Sequence, residues 1–212
     1  MNKPTRSIEW IVWGGLALVM IGIIGPFAVS KLRRPRTPLP VYGTVPAFAL
    51  TNQFGQLISS RELLGNVWVA DIIFTRCPGP CIKMTGQMRD LQASLPAEEP
   101  VRLVSLTADP VFDTPQVLKR YGERFGAVGG RWHFLTGNKP DLYRLATRGL
   151  LLALEELQPE KRESENDLFV HSTLFVVVDK QGRIRATRDG AEPSSLPKIL
   201  EAVRVLLEEK QP

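Results

Sequence analysis

The chain has 212 residues, a length that suits one domain with additions, and its 27 basic and 22 acidic residues give a formal net charge of +5. Six of the basic residues and one acidic residue lie within residues 1–36, which leaves 21 of each sign in the rest of the chain. The positive charge therefore belongs to the N-terminal segment, and the remainder does not have the charge of a nucleic-acid-binding domain.

The first predicted element is a transmembrane anchor at residues 8–29. This run is almost wholly apolar, and about 20 such residues are needed for a helix to cross a bilayer. Trp10 and Trp13 near one end are typical of a membrane interface. The alternative is a cleaved signal peptide, because residues 28–30 resemble a cleavage site. The apolar run exceeds the roughly 7–15 residues of a signal's hydrophobic region, which favours a retained anchor.

The anchor defines four segments of the chain. Residues 1–7 form a short tail, residues 8–29 the anchor, residues 30–45 a proline-rich spacer and residues 46–212 the folded domain. Two basic residues precede the anchor and four follow it, so the positive-inside rule alone would place the domain in the cytoplasm. That difference is small, and the charge count leaves the side of the membrane open.

Strand and helix patterns alternate through residues 46–212. Extended runs at 47–50 and 56–59 predict an N-terminal β-hairpin, and an apolar run at 67–74 predicts a buried central strand. The other predicted strands are 101–107, 132–135, 173–179 and 183–188, and the predicted helices are 81–95, 115–125, 139–148 and 194–208. Residues 150–157 fit either a strand or a helix extension, and residues 158–167 form a charged loop. This alternation predicts an α/β fold with a mixed sheet, in the thioredoxin-like order.

Cys77 and Cys81 are the only cysteines in the sequence, and they follow the predicted central strand. Two thiols this close either form a small disulfide or chelate a soft metal ion. A helix N-terminus stabilises thiolates, so we expect low pKa values for the pair. Pro78 and Pro80 stiffen the loop between them, and Gly79 permits a turn. A disulfide across so short a loop would constrain the unfolded chain little, which argues against a purely structural bridge.

His171 is a candidate third ligand, and its position alone leaves a functional and a structural role equally open. It precedes the strand 173–179, and in a thioredoxin-like fold the loop entering that strand faces the cysteine loop. Two thiolates and one imidazole suit Cu(I) and tolerate Cu(II), whereas zinc usually takes a fourth ligand. His133 lies among aromatic residues and is interpreted as structural. Met84 and Met88 share a helical stripe with the cysteines; thioethers bind Cu(I), but methionines at this spacing are more typical of a core.

Three motifs, in this order, resemble those of the Sco (SenC) family of membrane-anchored copper chaperones. They are residues 74–81, similar to the family's C-P-x-x-C segment; residues 107–110 followed by 113–115 and Tyr121; and residues 171–172 followed by Asp179 and Gly182. The resemblance covers about residues 45–208 and the anchor.

The resemblance implies a thioredoxin-like domain whose Cys77, Cys81 and His171 bind copper, as Cu(I), Cu(II) or both. It also implies delivery of copper to the Cu-A site of cytochrome c oxidase, or preparation of that site's thiols. The expected partners are the Cu-A subunit and other copper or thiol-redox proteins. The implied location is the periplasmic face of a bacterial inner membrane, with a single pass, and this outweighs the charge count.

The sequence departs from the family pattern at three positions around the cysteines and the histidine. Gly79 replaces an acid usually found between the cysteines, Ile82 replaces a proline, and Val170 replaces a frequent aspartate. Fewer carboxylates near the site would lower the affinity for Cu(II) more than that for Cu(I).

The alternative function is that of a membrane-tethered thiol–disulfide oxidoreductase. Cys77 would attack a client disulfide and Cys81 would resolve the mixed disulfide. Oxidoreductases of this fold normally have a proline near the position of Ser172, whereas this chain has a histidine followed by serine, which favours metal binding. A peroxidase of the same superfamily would need proton-handling partners for its cysteine, and the sequence offers no such set.

Overall fold

The computed structural model describes residues 6–32, 38–77, 79–162 and 168–209. Contacts divide the chain into two units, Met1–Pro38 and Leu39–Pro212. The first unit contains helix α1 (Arg6–Leu32). Within the described residues, no helix is both long enough and apolar enough to span a membrane. The anchor at residues 8–29 stays a prediction, and most of the predicted tail and residues 33–37 of the spacer lie outside the described residues.

The second unit is built on a mixed sheet of eight strands, with a separate two-stranded ribbon. The strands of the main sheet are β1 (Gly43–Thr44), β2 (Ala49–Asn52), β3 (Leu57–Ser59), β4 (Val67–Ile73), β5 (Val101–Thr107), β6 (Trp132–Thr136), β9 (Leu174–Val178) and β10 (Arg183–Asp189). Their spatial order is β1-β10-β9-β4-β5-β6-β2-β3. Strands β4, β5 and β6 run parallel, and the other neighbours are antiparallel. The ribbon pairs β7 (Leu154–Glu156) with β8 (Phe169–His171).

Helices cover this sheet and carry the connections between parallel strands. They are α2 (Ser60–Leu63), α3 (Pro80–Ser94), α4 (Pro115–Arg124), α5 (Lys139–Arg144), continued by a π-helical turn at Leu145–Gly149, and α6 (Leu196–Glu208). The start of α4 follows the sequence prediction, because Thr114 accepts a hydrogen bond from the Val117 N–H at 3.4 Å and Pro115 is the first helical residue.

The core lies on both faces of β4, whose seven residues are all buried. A strand covered on both faces reads as a continuous apolar run, which is why this strand was predictable. Met84 and Met88 of α3 are fully buried in the same core. Their interpretation as core residues is confirmed.

Strands β1 and β8 lie where the sequence predicts none. Strand β1 falls inside the predicted spacer and pairs with β10, and hydrogen bonds from the N–H groups of Tyr42 and Val45 extend the pairing at 2.9 Å each. The uncertain segment 150–157 contains β7, which pairs with β8. The predicted hairpin is confirmed as β2 and β3.

A buried arginine joins both ends of the second unit. The Arg185 guanidinium donates to the carbonyl oxygens of Leu39 and Pro40 at 3.2 Å. It also donates to the carboxylates of Asp179 and Glu209 at 2.8 Å. The point where the chain enters the domain is thereby bound to the end of α6.

Candidate metal centre

The two cysteines lie where β4 gives way to α3. Cys77 is in the connecting loop, with its N–H donating to the Phe74 carbonyl at 3.2 Å. Helix α3 begins at Pro80, so Cys81 is its second residue and is fully buried. Both cysteines are free thiols. Pro78, which was predicted to stiffen the loop, lies outside the described residues.

His171 comes from the end of β8 and meets the cysteines across the fold. Its Nε2 lies 3.2 Å from the Cys81 Sγ, and the ligand atoms of Cys77, Cys81 and His171 all lie within 4.8 Å of one another. The proximity expected from the sequence is therefore confirmed. The rings of Phe74 and His171 pack edge to face, with their centroids 5.7 Å apart. This contact restricts the orientation of the imidazole.

The tautomer of His171 follows from its second nitrogen. Nδ1 lies 3.0 Å from the Ser172 carbonyl oxygen, which can only accept a hydrogen bond. Nδ1 therefore carries the proton in the neutral ring, and Nε2 presents its lone pair toward the sulfurs. An outer hydrogen bond of this kind is typical of metal-binding histidines.

The two thiols are not equivalent. A hydrogen bond from the Cys81 thiol lowers the pKa of Cys77 to about 4, against burial and with help from the N–H groups of Cys81 and Gly79. The same hydrogen bond, together with burial, raises the pKa of Cys81. The expectation of low pKa values for both cysteines is wrong for Cys81, because it lies in the core beside a thiolate.

A buried carboxyl group adds to the electrostatics of the site. Asp71 lies in the middle of β4 with no solvent exposure, and burial raises its pKa to about 7. The charge of Asp71 contributes to the raised pKa of Cys81. Asp71 was not predicted to belong to the site, although an aspartate inside an apolar strand is visible in the sequence.

The other candidate residues take different places. His133 lies in β6, 9 % exposed and with its pKa lowered by burial, outside the Cys–Cys–His group. Ile82 and Val170, two of the departures from the family pattern, are about half exposed beside Cys81 and His171. At Val170 the rim of the site is therefore apolar where the family's aspartate would make it charged, whereas Ile82 replaces a proline and changes no charge.

The donor set fits a soft metal ion. Two sulfurs and one imidazole nitrogen can surround a low-coordinate ion such as Cu(I) without large movement. Within the described part of the chain, no fourth histidine, cysteine or carboxylate belongs to the group. A closed four-ligand zinc site is not formed by these residues.

Comparisons with known proteins give the chain's relatives. The SCO1/SenC family model matches residues 38–208. A SCO1 protein homolog of Bacillus subtilis (strain 168) is 31% identical over 167 residues, covering 78% of this chain and 83% of the relative. A Stutzerimonas stutzeri protein, named as a candidate copper-binding protein, is 37% identical over 152 residues, covering 69% of this chain and 70% of the relative.

The solved structures agree with this relationship. BsSco, described as a member of the Sco family of cytochrome c oxidase assembly proteins with a disulfide switch, is 30% identical with a TM-score of 0.70, covering 82% of this chain and 99% of BsSco. The likeness confirms the predicted thioredoxin-like α/β fold. By the family model and by these relatives, the chain belongs to the SCO1/SenC family.

Proposed function

We propose that this protein is a membrane-anchored copper chaperone, which binds copper through Cys77, Cys81 and His171 and passes it to the Cu-A site of cytochrome c oxidase, or prepares that site's thiols. The observation that carries the proposal is the convergence of three soft ligand atoms within 4.8 Å. Membership of the SCO1/SenC family, with relatives named for copper binding and oxidase assembly, supports it.

The residues are prepared for the exchange of a metal ion. Cys77 is a thiolate at neutral pH, and the Cys81 thiol has two acceptors, the Cys77 sulfur and the Nε2 of His171. Copper entry displaces that one remaining thiol proton and gives a site of two thiolates and one neutral imidazole. With three ligands the ion stays open to an incoming thiolate, so transfer can proceed by stepwise ligand exchange.

The oxidation state of the cysteines would gate the loading of copper. A Cys77–Cys81 disulfide removes two of the three ligands, so only the dithiol form accepts the ion. The free thiols of the structure correspond to the competent form.

The proposed location is the periplasmic face of a bacterial inner membrane, with the domain held by an anchor at residues 8–29. The apolar run itself supports the anchor. A membrane-impermeant maleimide added to intact spheroplasts tests the side in a Cys77→Ser, Cys81→Ser variant, since it labels a cysteine introduced at the exposed Val111 only if the domain faces outward. Labelling only after lysis would contradict the proposed side.

The central test is a Cu(I) titration of the reduced full chain in detergent against a chromophoric chelator. We expect one tightly bound Cu(I) per chain, and binding about ten-fold or more weaker in His171→Ala, because one of three ligands is lost. His133→Gln, at the other histidine, is the matched control and should bind as the wild type does. Equal binding by wild type and His171→Ala would contradict the three-ligand site.

A thiol–disulfide oxidoreductase is the second candidate, favoured by the low pKa of Cys77. The two functions separate in one comparison. Disulfide reductase activity should survive His171→Ala if Cys77 and Cys81 act alone, whereas copper binding should weaken about ten-fold or more.

A further inference from the structure

Hydrogen bonds to the buried side chain of Asp113 hold the loop before Cys77. Asp113, between β5 and α4, has no solvent exposure. Its Oδ2 accepts hydrogen bonds from the Thr75 N–H at 3.2 Å and from the Thr107 hydroxyl at 2.5 Å, and its Oδ1 accepts one from the Thr75 hydroxyl. Thr75 is 38 residues from Asp113 in sequence and only two residues before Cys77. The bond network therefore joins the cysteine loop directly to the next strand of the sheet.

The neighbouring residue of the loop is held by the same segment. The Arg76 guanidinium pairs with the Asp109 carboxylate at 2.5 Å and lies 4.1 Å from the centroid of the Phe112 ring. The Arg76 side chain is 40% exposed, so this pair contributes little on its own. The buried hydrogen bonds of Asp113 are the stronger restraint, because they are shielded from solvent, whereas water screens the exposed ion pair.

The two cysteines depend on this restraint to different degrees. Cys81 is fixed by α3, and its carbonyl accepts a hydrogen bond from the Thr85 hydroxyl at 2.7 Å, which in turn contacts the Tyr121 hydroxyl at 2.9 Å. Cys77 lies in no regular element, and its N–H bond to Phe74 at 3.2 Å belongs to the turn that Thr75 begins. Holding Thr75 therefore fixes the position of Cys77 relative to Cys81 and His171.

We propose that Asp113 is a positioning residue of the copper site: through Thr75 it holds the cysteine loop so that the Cys77 sulfur faces Cys81 and His171 before copper arrives. This inference rests on the proposed copper function and adds to it a residue that does not touch the ion. A ligand that is already in place loses less conformational entropy on binding. The hydrogen bonds between Asp113 and Thr75, here called the latch, therefore increase the affinity for copper without forming a bond to it.

The decisive variants lie on the two sides of Asp113. Asp113→Ala would strip three hydrogen bonds at once, and so it tests folding as much as positioning. Thr75→Val removes one of the two hydrogen bonds that join Asp113 to the cysteine loop, leaves the bond from the Thr75 N–H and keeps the side-chain shape. Thr107→Val removes the hydroxyl on the strand side and leaves the loop joined. Thr75→Ser restores the hydroxyl and serves as the rescue.

Two kinds of measurement on the reduced full chain test the latch: local amide exchange and copper binding. Amide hydrogen exchange at residues 75–77, compared with the global unfolding free energy, reports the loop without any metal. Competition for Cu(I) reports affinity, and the thiolate-to-Cu(II) charge-transfer band reports the geometry of the sulfurs. We expect Thr75→Val to bind Cu(I) about ten-fold more weakly, with faster local exchange and a shifted band. Thr75→Ser should behave as the wild type, and Thr107→Val should lose stability without a shifted band.

The outcomes separate the latch from the proposed function. If Thr75→Val matches the wild type in exchange and in Cu(I) affinity, the positioning role is wrong. If Thr107→Val shifts the band as much as Thr75→Val does, Asp113 acts on the fold generally and the positioning role is again wrong. A wild type that binds no copper contradicts the proposed function, and local exchange in Thr75→Val then decides the latch by itself.

Discussion

The Nε2 of His171 and the Sγ of Cys81 lie 3.2 Å apart, although 90 residues separate them in sequence. One is at the end of a two-stranded ribbon and the other in the first turn of α3. This contact turns a pair of cysteines into a three-donor site. With the Cys77 sulfur, these atoms form a compact group in which all three ligand atoms lie within 4.8 Å of one another.

The inequality of the two thiols predicts a distinctive pH profile of alkylation. Because the Cys77 pKa is lowered to about 4, its reaction with iodoacetamide should be nearly independent of pH between about 6 and 8, unlike that of a free thiol. In Cys81→Ala the donated hydrogen bond is lost and the profile should rise with pH. In Cys81→Ser the hydroxyl still donates, so the flat profile should be largely retained. Mass spectrometry of the singly alkylated chain measures each rate, and a wild-type rate that climbs ten-fold per pH unit would refute the assignment.

Restoring the missing acid should shift the preference between copper oxidation states. A Cβ placed on Gly79 meets no described atom within 4 Å apart from its chain neighbours, so aspartate fits there. We expect Gly79→Asp to raise the affinity for Cu(II) about ten-fold and that for Cu(I) by less, since a carboxylate stabilises the higher charge more. Gly86→Asp, also free of contacts within 4 Å on α3, adds the same charge in the second turn of the helix. Equal effects of the two substitutions would mean that the charge acts through the general field and not at the site.

The buried carboxyl of Asp71 predicts a pH dependence of stability. Burial raises its pKa from 3.8 to about 7 in the folded protein. The native state therefore holds this proton over a range in which the unfolded state has lost it. The group's favourable contribution is complete below about pH 4 and is lost as the pH rises through 7.

Replacing Asp71 isolates this effect. We expect Asp71→Asn to be more stable relative to wild type at pH 8 than at pH 5, by on the order of 2 kcal/mol. Chemical unfolding of both proteins at both pH values measures the double difference. A double difference of zero, or one of opposite sign, would mean that Asp71 is ionised in the folded protein throughout this range.

The buried guanidinium of Arg185 predicts a large loss of stability on truncation. Its side chain is 4% exposed and contacts Asp179, which is 2% exposed. Arg185→Ala would leave that carboxylate without its buried partner and should cost about 3–5 kcal/mol in the free energy of unfolding. Arg183 pairs with the same carboxylate from a side chain that is 35% exposed, so Arg183→Ala should cost about 1 kcal/mol or less. Urea denaturation of the two variants, side by side, tests the contrast, which fails if their midpoints coincide.

Much of the fold was predictable because its signals are local. The apolar run of β4 and the Thr114–Pro115 start of α4 identify their elements without knowledge of the rest of the chain. Strands β1 and β8 were not predicted, because each has only two or three residues and exists through a partner distant in sequence. A short strand carries too few side chains to show an alternating pattern.

The site divides in the same way. Its three donor residues follow from residue type and from the expected order of the fold, so Cys77, Cys81 and His171 could be named from the sequence. The unequal thiol pKa values, the role of Asp71 and the hydrogen bonds of Asp113 depend on burial and on distances between separate strands. Those quantities appear only when the sheet has brought the strands together.

The buried contacts of Arg185 with Leu39 and Glu209 lie far from the cysteine loop. Val178 pairs with Trp68 at the start of β4 and with Ile184 of β10, so Arg185 lies level with the first residues of β4, whereas the cysteine loop leaves its last. Seven residues of strand put these two places about 20 Å apart. The domain therefore begins near one end of the strands, and its thiols lie near the opposite end. A docking protein can therefore cover the thiols without displacing residues 39–45 at the start of the domain.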